Sequence, residues 1–144
     1  MRILISACLL GLRCRYDGDE KACVQALSLI GRGHTLVPVC PEQLGGLPTP
    51  RTPCERVDGR VLTADGEDRT EAYERGAQQA YKLYQALQCD CAVLKARSPM
   101  CGCGCVYDGT FTGTLTAGDG VLAALLRKND APVFTEDELD ASAL

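Results

Sequence analysis

The residues best suited to chemistry in this chain are its cysteines, of which there are ten among 144 residues. The densest group lies at residues 98–105, which read SPMCGCGC and follow the apolar run CAVLKA at 91–96. The proline and glycines among these thiols predict a loop whose backbone lets a ligand approach closely. Cys8 and Cys40 also follow apolar runs, so that, with Cys101, three thiols stand just beyond predicted strands.

The equivalent positions of Cys8, Cys40 and Cys101 predict that these thiols share one site. In an open α/β sheet, ligands bind beyond the carboxyl ends of the strands. Soft thiolate ligands select zinc, copper(I) or iron–sulfur clusters. Three thiolates from separate loops fit a cubane cluster, and one iron would then keep an open position and act as a Lewis acid on a substrate. The alternative is three buried core thiols, since free cysteine behaves as a small hydrophobe.

Other interpretations stay open at this point. Cys103 and Cys105 are either spare loop thiols or alternative ligands, and either one would close the fourth iron if it bound there. A cluster- or metal-binding protein without turnover, such as a sensor or carrier, and a structural zinc protein are the alternatives to an enzyme; the C-x-C spacings differ from those of standard zinc sites. A structural role is predicted for the remaining thiols and the single histidine, which are Cys14, Cys23 (within a helix), Cys54, Cys89, Cys91 and His34.

Two polar residues lie close in sequence to the predicted ligands. Glu42 is two residues after Cys40, and Ser98 is three residues before Cys101. If those cysteines hold a cluster, both side chains are placed to reach a substrate bound to it. A carboxylate there can activate water or carry protons, and a hydroxyl can hydrogen-bond a developing charge. Without a cluster, Glu42 is expected to cap a turn and Ser98 to be an ordinary turn residue before proline.

A parallel sheet is needed to bring these residues together, and the apolar patterns predict one. Strands are predicted at residues 2–7, 34–39, 92–96 and 131–134. Helices are predicted at 19–30, from Asp68 or Thr70 to about Leu87, and at 120–128. Asp19 and Asp119 are the expected N-caps of the first and last of these helices, and Thr135 caps a helix start beyond the last strand. A long loop is predicted over 41–53, followed by a small hairpin that turns at Asp58 and Gly59. The predicted fold is a compact single α/β domain over 1–144, three-layered and Rossmann-like, with a mostly parallel sheet of about four strands.

The composition indicates which partners and which cellular location to expect. A net charge of −4 and a pI near 5.0 argue against strong nucleic-acid binding, which depends on lysine and arginine. No leader is evident, and no apolar run approaches the roughly 20 residues that span a bilayer, so we expect no membrane partner. A cytoplasmic location is predicted on the same grounds, and thiols stay reduced in that compartment. Local basic residues are expected to line one pocket, the candidates being Arg13, Arg15, Arg51, Arg56, Lys95 and Arg97.

Five blocks of sequence resemble the DUF523 family, and together they cover nearly the whole chain in order. They are SACLLG at 6–11, RYDG at 15–18, PVCPEQLGGLP at 38–48, SPMCG at 98–102 and YDGTFTG at 107–113. Lys95, Pro50 with Arg51, and Gly120 with Val121 extend the match. Met100 departs from the family pattern, which has serine at that position.

The resemblance implies both a cofactor and a reaction. It implies a [4Fe-4S] cluster bound by three cysteines, which fall on Cys8, Cys40 and Cys101. The implied reaction is a non-redox removal of sulfur from a thiocarbonyl, giving uracil and sulfide from 2-thiouracil or acting on a similar small thioamide, with the substrate sulfur on the open iron. The family's catalytic glutamate and serine would fall on Glu42 and Ser98. A small thiolated molecule is therefore the expected partner.

Overall fold

Strands and helices alternate along most of the chain. The computed structural model describes residues 1–139 and 144. The strands are β1 (Arg2–Ser6), β2 (Thr35–Val39), β3 (Cys54–Val57), β4 (Arg60–Thr63), β5 (Cys91–Leu94), β6 (Cys105–Tyr107), β7 (Leu115–Ala117) and β8 (Val133–Thr135). The helices are α1 (Val24–Gly31), α2 (Pro41–Leu44), α3 (Thr70–Ala86) and α4 (Val121–Lys128), and single 3-10 turns cover Ala7–Leu10 and Glu136–Glu138. Within the described residues, no helix combines the length and apolar character that crossing a membrane requires.

Four strands form a parallel sheet in the order β2, β1, β5, β8. β1 lies between two partners, so that Leu4 pairs with Val37 on one side and with Ala92 on the other. The centres of β1 and β5 are continuous apolar runs, as expected of strands covered on both faces. The predicted α/β fold with a mostly parallel sheet of about four strands is confirmed.

Helices cover both faces of this sheet and produce the three layers. α3 and α4 pack against the face that carries Leu4 and Leu94. On the opposite face, α1 packs against Ile5 and Val93. Because successive side chains of a strand point to opposite faces, each central strand contributes to both cores.

The first helix begins later than predicted. α1 starts at Val24, and Asp19 is not its N-cap. Residues 19–23 instead run beside the turn Ala7–Leu10, where the N–H groups of Lys21 and Cys23 donate to carbonyl oxygens of that turn at 3.0 Å each. The prediction that Cys23 lies within a helix is therefore wrong, because Cys23 is the N-cap residue.

Short elements occupy parts of the predicted loops. α2 begins the segment 41–53, with Pro41 at its first turn, where a missing N–H has no cost. β6 and β7 pair antiparallel on either side of the turn at 107–113. The hairpin of β3 and β4 lies where it was predicted.

The start of the last helix also differs from the prediction. Gly120, rather than Asp119, is the N-cap of α4. The Asp119 carboxylate instead accepts hydrogen bonds from the Gly104 N–H, at 2.7 Å, and from Arg127. The Asp119 side chain therefore binds the 98–105 loop and Arg127 instead of capping α4.

α2 crosses α3 in close contact because each helix has a glycine at the crossing. A Cβ atom on Gly76 would overlap the carbonyl oxygen of Pro41, and one on Gly45 would overlap that of Ala72. The two backbones therefore touch directly. This contact fixes α2, which begins immediately after Cys40, against the long helix α3.

We expect Gly76→Ala to lower the free energy of unfolding by about 1–3 kcal/mol, the usual cost of overpacking. The new methyl group must displace a backbone carbonyl of α2 rather than a flexible side chain. Urea unfolding followed by circular dichroism measures the change. Gly31→Ala is the matched control, since Gly31 ends α1 and an added Cβ meets no atom within 4 Å. The control should stabilise the chain by up to about 1 kcal/mol. Equal unfolding curves for Gly76→Ala and the unaltered chain would contradict the tight crossing.

Candidate active site

Loops at the carboxyl end of the parallel sheet enclose a cavity of about 610 Å³. Its wall includes all five residues that the sequence predicts for the site, which are Cys8, Cys40, Cys101, Glu42 and Ser98. They come from the segments that follow β1, β2 and β5, which are neighbours in the sheet. The structure therefore brings together side chains that are remote in sequence.

Short helical elements hold Cys8 and Cys40 at the ends of their strands. Cys8 lies within the turn Ala7–Leu10, and its carbonyl oxygen accepts a hydrogen bond from the Lys21 N–H at 3.0 Å. Cys40 is the residue before α2, and its carbonyl oxygen accepts the Leu44 N–H at 3.0 Å. The backbone of each cysteine is thus fixed, and both thiols line the cavity.

Ser98 organises the loop that carries Cys101. Its Oγ accepts hydrogen bonds from the N–H groups of Met100 and Cys101, both at 3.1 Å, and its carbonyl oxygen accepts the Gly102 N–H at 2.8 Å. A Cβ on Gly102 would lie 2.7 Å from that carbonyl oxygen, so the loop requires glycine there. Met100 is fully buried in the apolar cluster that includes α4, which explains why an apolar side chain is tolerated at this position. Since the Ser98 hydroxyl oxygen is the acceptor in both bonds, its proton is left for a further partner.

Burial sets the acidity of two of the predicted ligands. Loss of solvent raises the pKa of the Cys8 thiol to about 11, although the charge of Lys95 opposes the shift. Burial also raises the pKa of Cys101 well above the usual thiol range, and a hydrogen bond with Ser6 opposes it. Metal binding displaces a thiol proton, so uptake of a metal centre at these residues releases protons and weakens as the pH falls.

Cys40 has a different environment, because its thiol donates to the Cys14 carbonyl oxygen at 3.5 Å and also lies close to an arginine. The neighbouring Cys14 thiol holds the pKa of Cys40 below its ordinary value, with further help from the Gln43 N–H and the charge of Arg51. The pKa of Cys14 is correspondingly raised by its hydrogen bond with Cys40 and by burial. Arg51 Nη2 lies 3.8 Å from Cys40 Sγ. Cys40 is therefore the predicted ligand whose thiolate the protein itself stabilises most.

The Glu42 carboxylate is bound on one oxygen by two donors. Arg51 Nε donates to Glu42 Oε1 at 3.0 Å, and the Tyr73 hydroxyl donates to the same oxygen at 2.7 Å. The side chains of Arg51 and Glu42 are only 5% and 17% exposed. Burying a carboxylate is costly unless its charge is paired and hydrogen-bonded, and Arg51 and Tyr73 meet both needs here. Glu42 thus belongs to a buried hydrogen-bond network with Arg51 and Tyr73. The sequence had suggested only that Glu42 acts as a base or caps a turn.

The cavity wall contains cysteines that were predicted to be structural. Cys14 and Cys54 are both buried, as expected of such thiols, and both also line the cavity. Cys103 and Cys105, which were considered as alternative ligands, are not among the lining residues. Cys103 instead lies 3.8 Å from Arg127 Nη1.

Several basic side chains line the cavity, as the sequence suggested. Of the six candidates, four do so, namely Arg15, Arg51, Lys95 and Arg97. Lys95 Nζ is paired with Glu136 at 2.9 Å, and Arg97 with Asp137 at 2.9 Å. Most of this positive charge is therefore compensated within the protein.

Residues that sequence reasoning did not single out also belong to the site. Tyr73 has the helical spacing of a core residue and is 1% exposed, yet its hydroxyl reaches Glu42. The aromatic residues Tyr16, Tyr107 and Phe111 also line the cavity. The backbone N–H of Phe111 donates to the Glu55 carboxylate at 3.1 Å, which holds this loop over the cavity.

The cysteines of the cavity suit a metal cluster better than a single metal ion. Among the described residues, no three His, Cys, Asp or Glu side chains meet in the arrangement that holds one metal ion. Cys8, Cys40 and Cys101 instead line a common cavity. An all-sulfur donor set delivered from separate loops fits an iron–sulfur cluster by the chemistry of its ligands.

Comparisons with known proteins identify the family. The model of the 2-thiouracil desulfurase family matches residues 3–138. The uncharacterized protein YbbK of Bacillus subtilis (strain 168) is 38% identical over 148 residues, which cover 96% of this chain and 97% of that protein. The solved structure of the [4Fe-4S]-dependent thiouracil desulfidase TudS is 44% identical and superposes with a TM-score of 0.91, over 97% of this chain and 93% of that one. The resemblance drawn from the sequence motifs is confirmed, and the chain belongs to the 2-thiouracil desulfurase family.

Proposed function

We propose that this chain is a [4Fe-4S]-dependent desulfurase that removes sulfur from a thiolated pyrimidine such as 2-thiouracil, or from a similar small thioamide. The observation that carries the proposal is the single cavity lined by Cys8, Cys40, Cys101, Glu42 and Ser98. Membership of the 2-thiouracil desulfurase family supports it, as does the similarity to TudS, whose own description names the cluster and the substrate class. A cytoplasmic location is part of the same proposal.

Three thiolates would hold the cofactor, from Cys8, Cys40 and Cys101. When bound, the cluster supplies an iron with an open coordination position, a Lewis acid suited to the soft sulfur of a thiocarbonyl. Burial of Cys8 and Cys101 keeps bulk water from these ligands. The protein thus contributes a sheltered, sulfur-lined wall on which a substrate can be oriented.

Glu42 is the proposed general base. The reaction consumes one water, replaces the carbon–sulfur double bond by a carbon–oxygen double bond, and releases hydrogen sulfide, so that no oxidant or reductant is needed. The Glu42 carboxylate takes a proton from the water as the water oxygen attacks the carbon that bears the sulfur. The carbon–sulfur bond then breaks, the sulfur leaves with the electron pair, and the two protons of the water end on the released sulfide.

Ser98 is proposed to donate a hydrogen bond to the substrate. Its oxygen already accepts two backbone N–H groups, so its O–H is the group that remains to act. A hydroxyl donor beside the reacting carbon stabilises negative charge that develops during attack. The same side chain orders the Cys101 loop, so Ser98 would contribute both to the ligand geometry and to the chemistry.

The shape of the wall suits a flat heterocycle. Tyr16, Tyr107 and Phe111 are among the residues that line the cavity. Aromatic faces bind planar rings by stacking and by burial of apolar area. The Glu55 carboxylate accepts N–H groups from both Gly109 and Phe111, which fixes the loop that presents the last two of these rings.

Anaerobic purification and assay test the proposal directly. The holoprotein is expected to be brown, to contain about four iron and four sulfide per chain, and to convert 2-thiouracil to equal amounts of uracil and sulfide. Chromatography of the pyrimidine and a colorimetric sulfide assay measure both products. Zinc in place of iron would instead indicate a structural metal site. A full cluster with no release of sulfide from 2-thiouracil or other small thioamides would indicate a sensor or carrier.

Replacing any one of Cys8, Cys40 and Cys101 by alanine is expected to bleach the protein, because two remaining thiolates do not retain the cluster. Iron content and visible absorption report the loss. Cys23→Ala is the matched control, since Cys23 caps α1 and does not line the cavity. Full iron retention in all three single variants would remove the ligand assignment.

Glu42→Gln should keep the colour of the protein and lower kcat by about 10²–10⁴-fold, the usual contribution of a positioned general base. The amide preserves the size of the side chain but accepts no proton from water. Sulfide release under saturating 2-thiouracil measures the effect, with iron content measured on the same sample. Turnover at the unaltered rate would show that Glu42 is not the base.

A further inference from the structure

Arg51 contacts both the proposed base and one proposed cluster ligand. Its Nε donates to Glu42 Oε1 at 3.0 Å, while its Nη2 lies 3.8 Å from Cys40 Sγ. The side chain is 5% exposed. One planar guanidinium therefore contacts both Cys40, a proposed cluster ligand, and Glu42, the proposed acceptor of the proton.

The remaining contacts of Arg51 hold the guanidinium in place. Nη1 donates to the Pro48 carbonyl at 3.1 Å and to Thr49 Oγ1 at 2.9 Å, and Nη2 donates to the Cys14 carbonyl at 2.8 Å. Three chain segments thus fix a rigid fork of donors, which a flexible lysine side chain cannot reproduce. This fixed geometry is what makes Arg51 suitable for holding other groups.

Tyr73 is the second hydrogen-bond donor to the Glu42 carboxylate. Its hydroxyl reaches Glu42 Oε1 at 2.7 Å, so both donors bind the same oxygen. Tyr73 belongs to α3, whereas Arg51 belongs to the loop after α2. Because Oε1 is occupied from two sides, Oε2 is the Glu42 oxygen left to face a reacting water.

We propose that Arg51 is a positioning residue that fixes the Glu42 carboxylate and the Cys40 sulfur relative to each other. Tyr73 is a second positioning residue, which binds Glu42 only. With Oε1 bound by both residues, Oε2 is the Glu42 oxygen that accepts the proton. This inference rests on the proposed function, since it assigns how the base and one ligand of that site are held. Arg51 and Tyr73 act through Glu42 and Cys40, with no contact to substrate required.

The two residues differ in what they touch, and this difference makes the inference testable. Hydrogen bonds to ligating sulfurs help to set the reduction potential of a cluster. Loss of a donor to Cys40 makes its sulfur more electron-rich and lowers that potential. Arg51 contacts Cys40, whereas the hydroxyl of Tyr73 contacts Glu42. Only Arg51 is therefore expected to influence the potential.

The experiment compares Arg51→Lys with Tyr73→Phe in anaerobically prepared holoprotein. Both variants should lower kcat by about 10–100-fold, the usual effect of removing an outer-sphere partner, with KM for 2-thiouracil close to that of the unaltered protein. Electrochemical titration should show a lower cluster potential in Arg51→Lys and an unchanged potential in Tyr73→Phe. Arg56→Lys is the control, because Arg56 is a half-buried arginine of β3 that is not among the cavity-lining residues. It should leave kcat and potential unchanged.

Each outcome bears on one side of the inference. Unchanged kcat and potential in Arg51→Lys would overturn it, and so would equal shifts of potential in Arg51→Lys and Tyr73→Phe, which would indicate general loosening. Reduced iron uptake by a folded Arg51→Lys protein supports it, because Cys40 is then no longer held. If Arg51→Lys does not fold, Tyr73→Phe tests whether Glu42 must be positioned by its hydrogen-bond donors. Full kcat in Tyr73→Phe would overturn the positioning of Glu42. Failure of the proposed function is seen separately, in unaltered protein that lacks a cluster or releases no sulfide.

Discussion

The structure depends first on the parallel pairing of β1 with both β2 and β5. Because these three strands run in the same direction, the segments that follow them open on one edge of the sheet. A five-residue strand spans about 16 Å, so reversing one strand would move its cysteine to the far edge of the domain. That Cys8, Cys40 and Cys101 line one cavity is therefore a consequence of sheet topology, and the loops set the final position of each residue.

A second constraint is the negative charge of Glu42 inside the cavity wall. A buried carboxylate is costly unless it is paired, and removing one member of a buried pair typically costs about 3–5 kcal/mol. Arg51 supplies the compensating charge, and Tyr73 adds a neutral hydrogen bond. The three side chains come from α2, from the loop that follows it and from α3. Stability and the proposed chemistry consequently rest on the same contacts.

The strands and the thiols that follow them, Cys8, Cys40 and Cys101, were predictable because their signals are local, whereas Cys14 and Cys54 line the cavity without such a signal. A continuous apolar run such as Ile3 to Ile5 predicts a buried strand, and the next thiol then marks its exit. The contact of Arg51 with Glu42 depends on the path of a proline-rich loop, which no periodicity encodes. Tyr73 has a helical spacing that indicates burial but not the partner of its hydroxyl. Asp19 satisfies a capping pattern that backbone hydrogen bonds of the neighbouring turn override.

The direct backbone contact between α2 and α3 limits which residues this chain can accept at the crossing. Glu42 lies on one of these helices and Tyr73 on the other, and Gly45 and Gly76 set how near the helices come. A larger residue at either glycine would separate the carboxylate from its hydroxyl donor even though neither glycine touches the cavity. Sequence change at this helix crossing is thus restrained by the hydrogen bond between Tyr73 and Glu42, which lie three residues from Gly76 and Gly45 respectively.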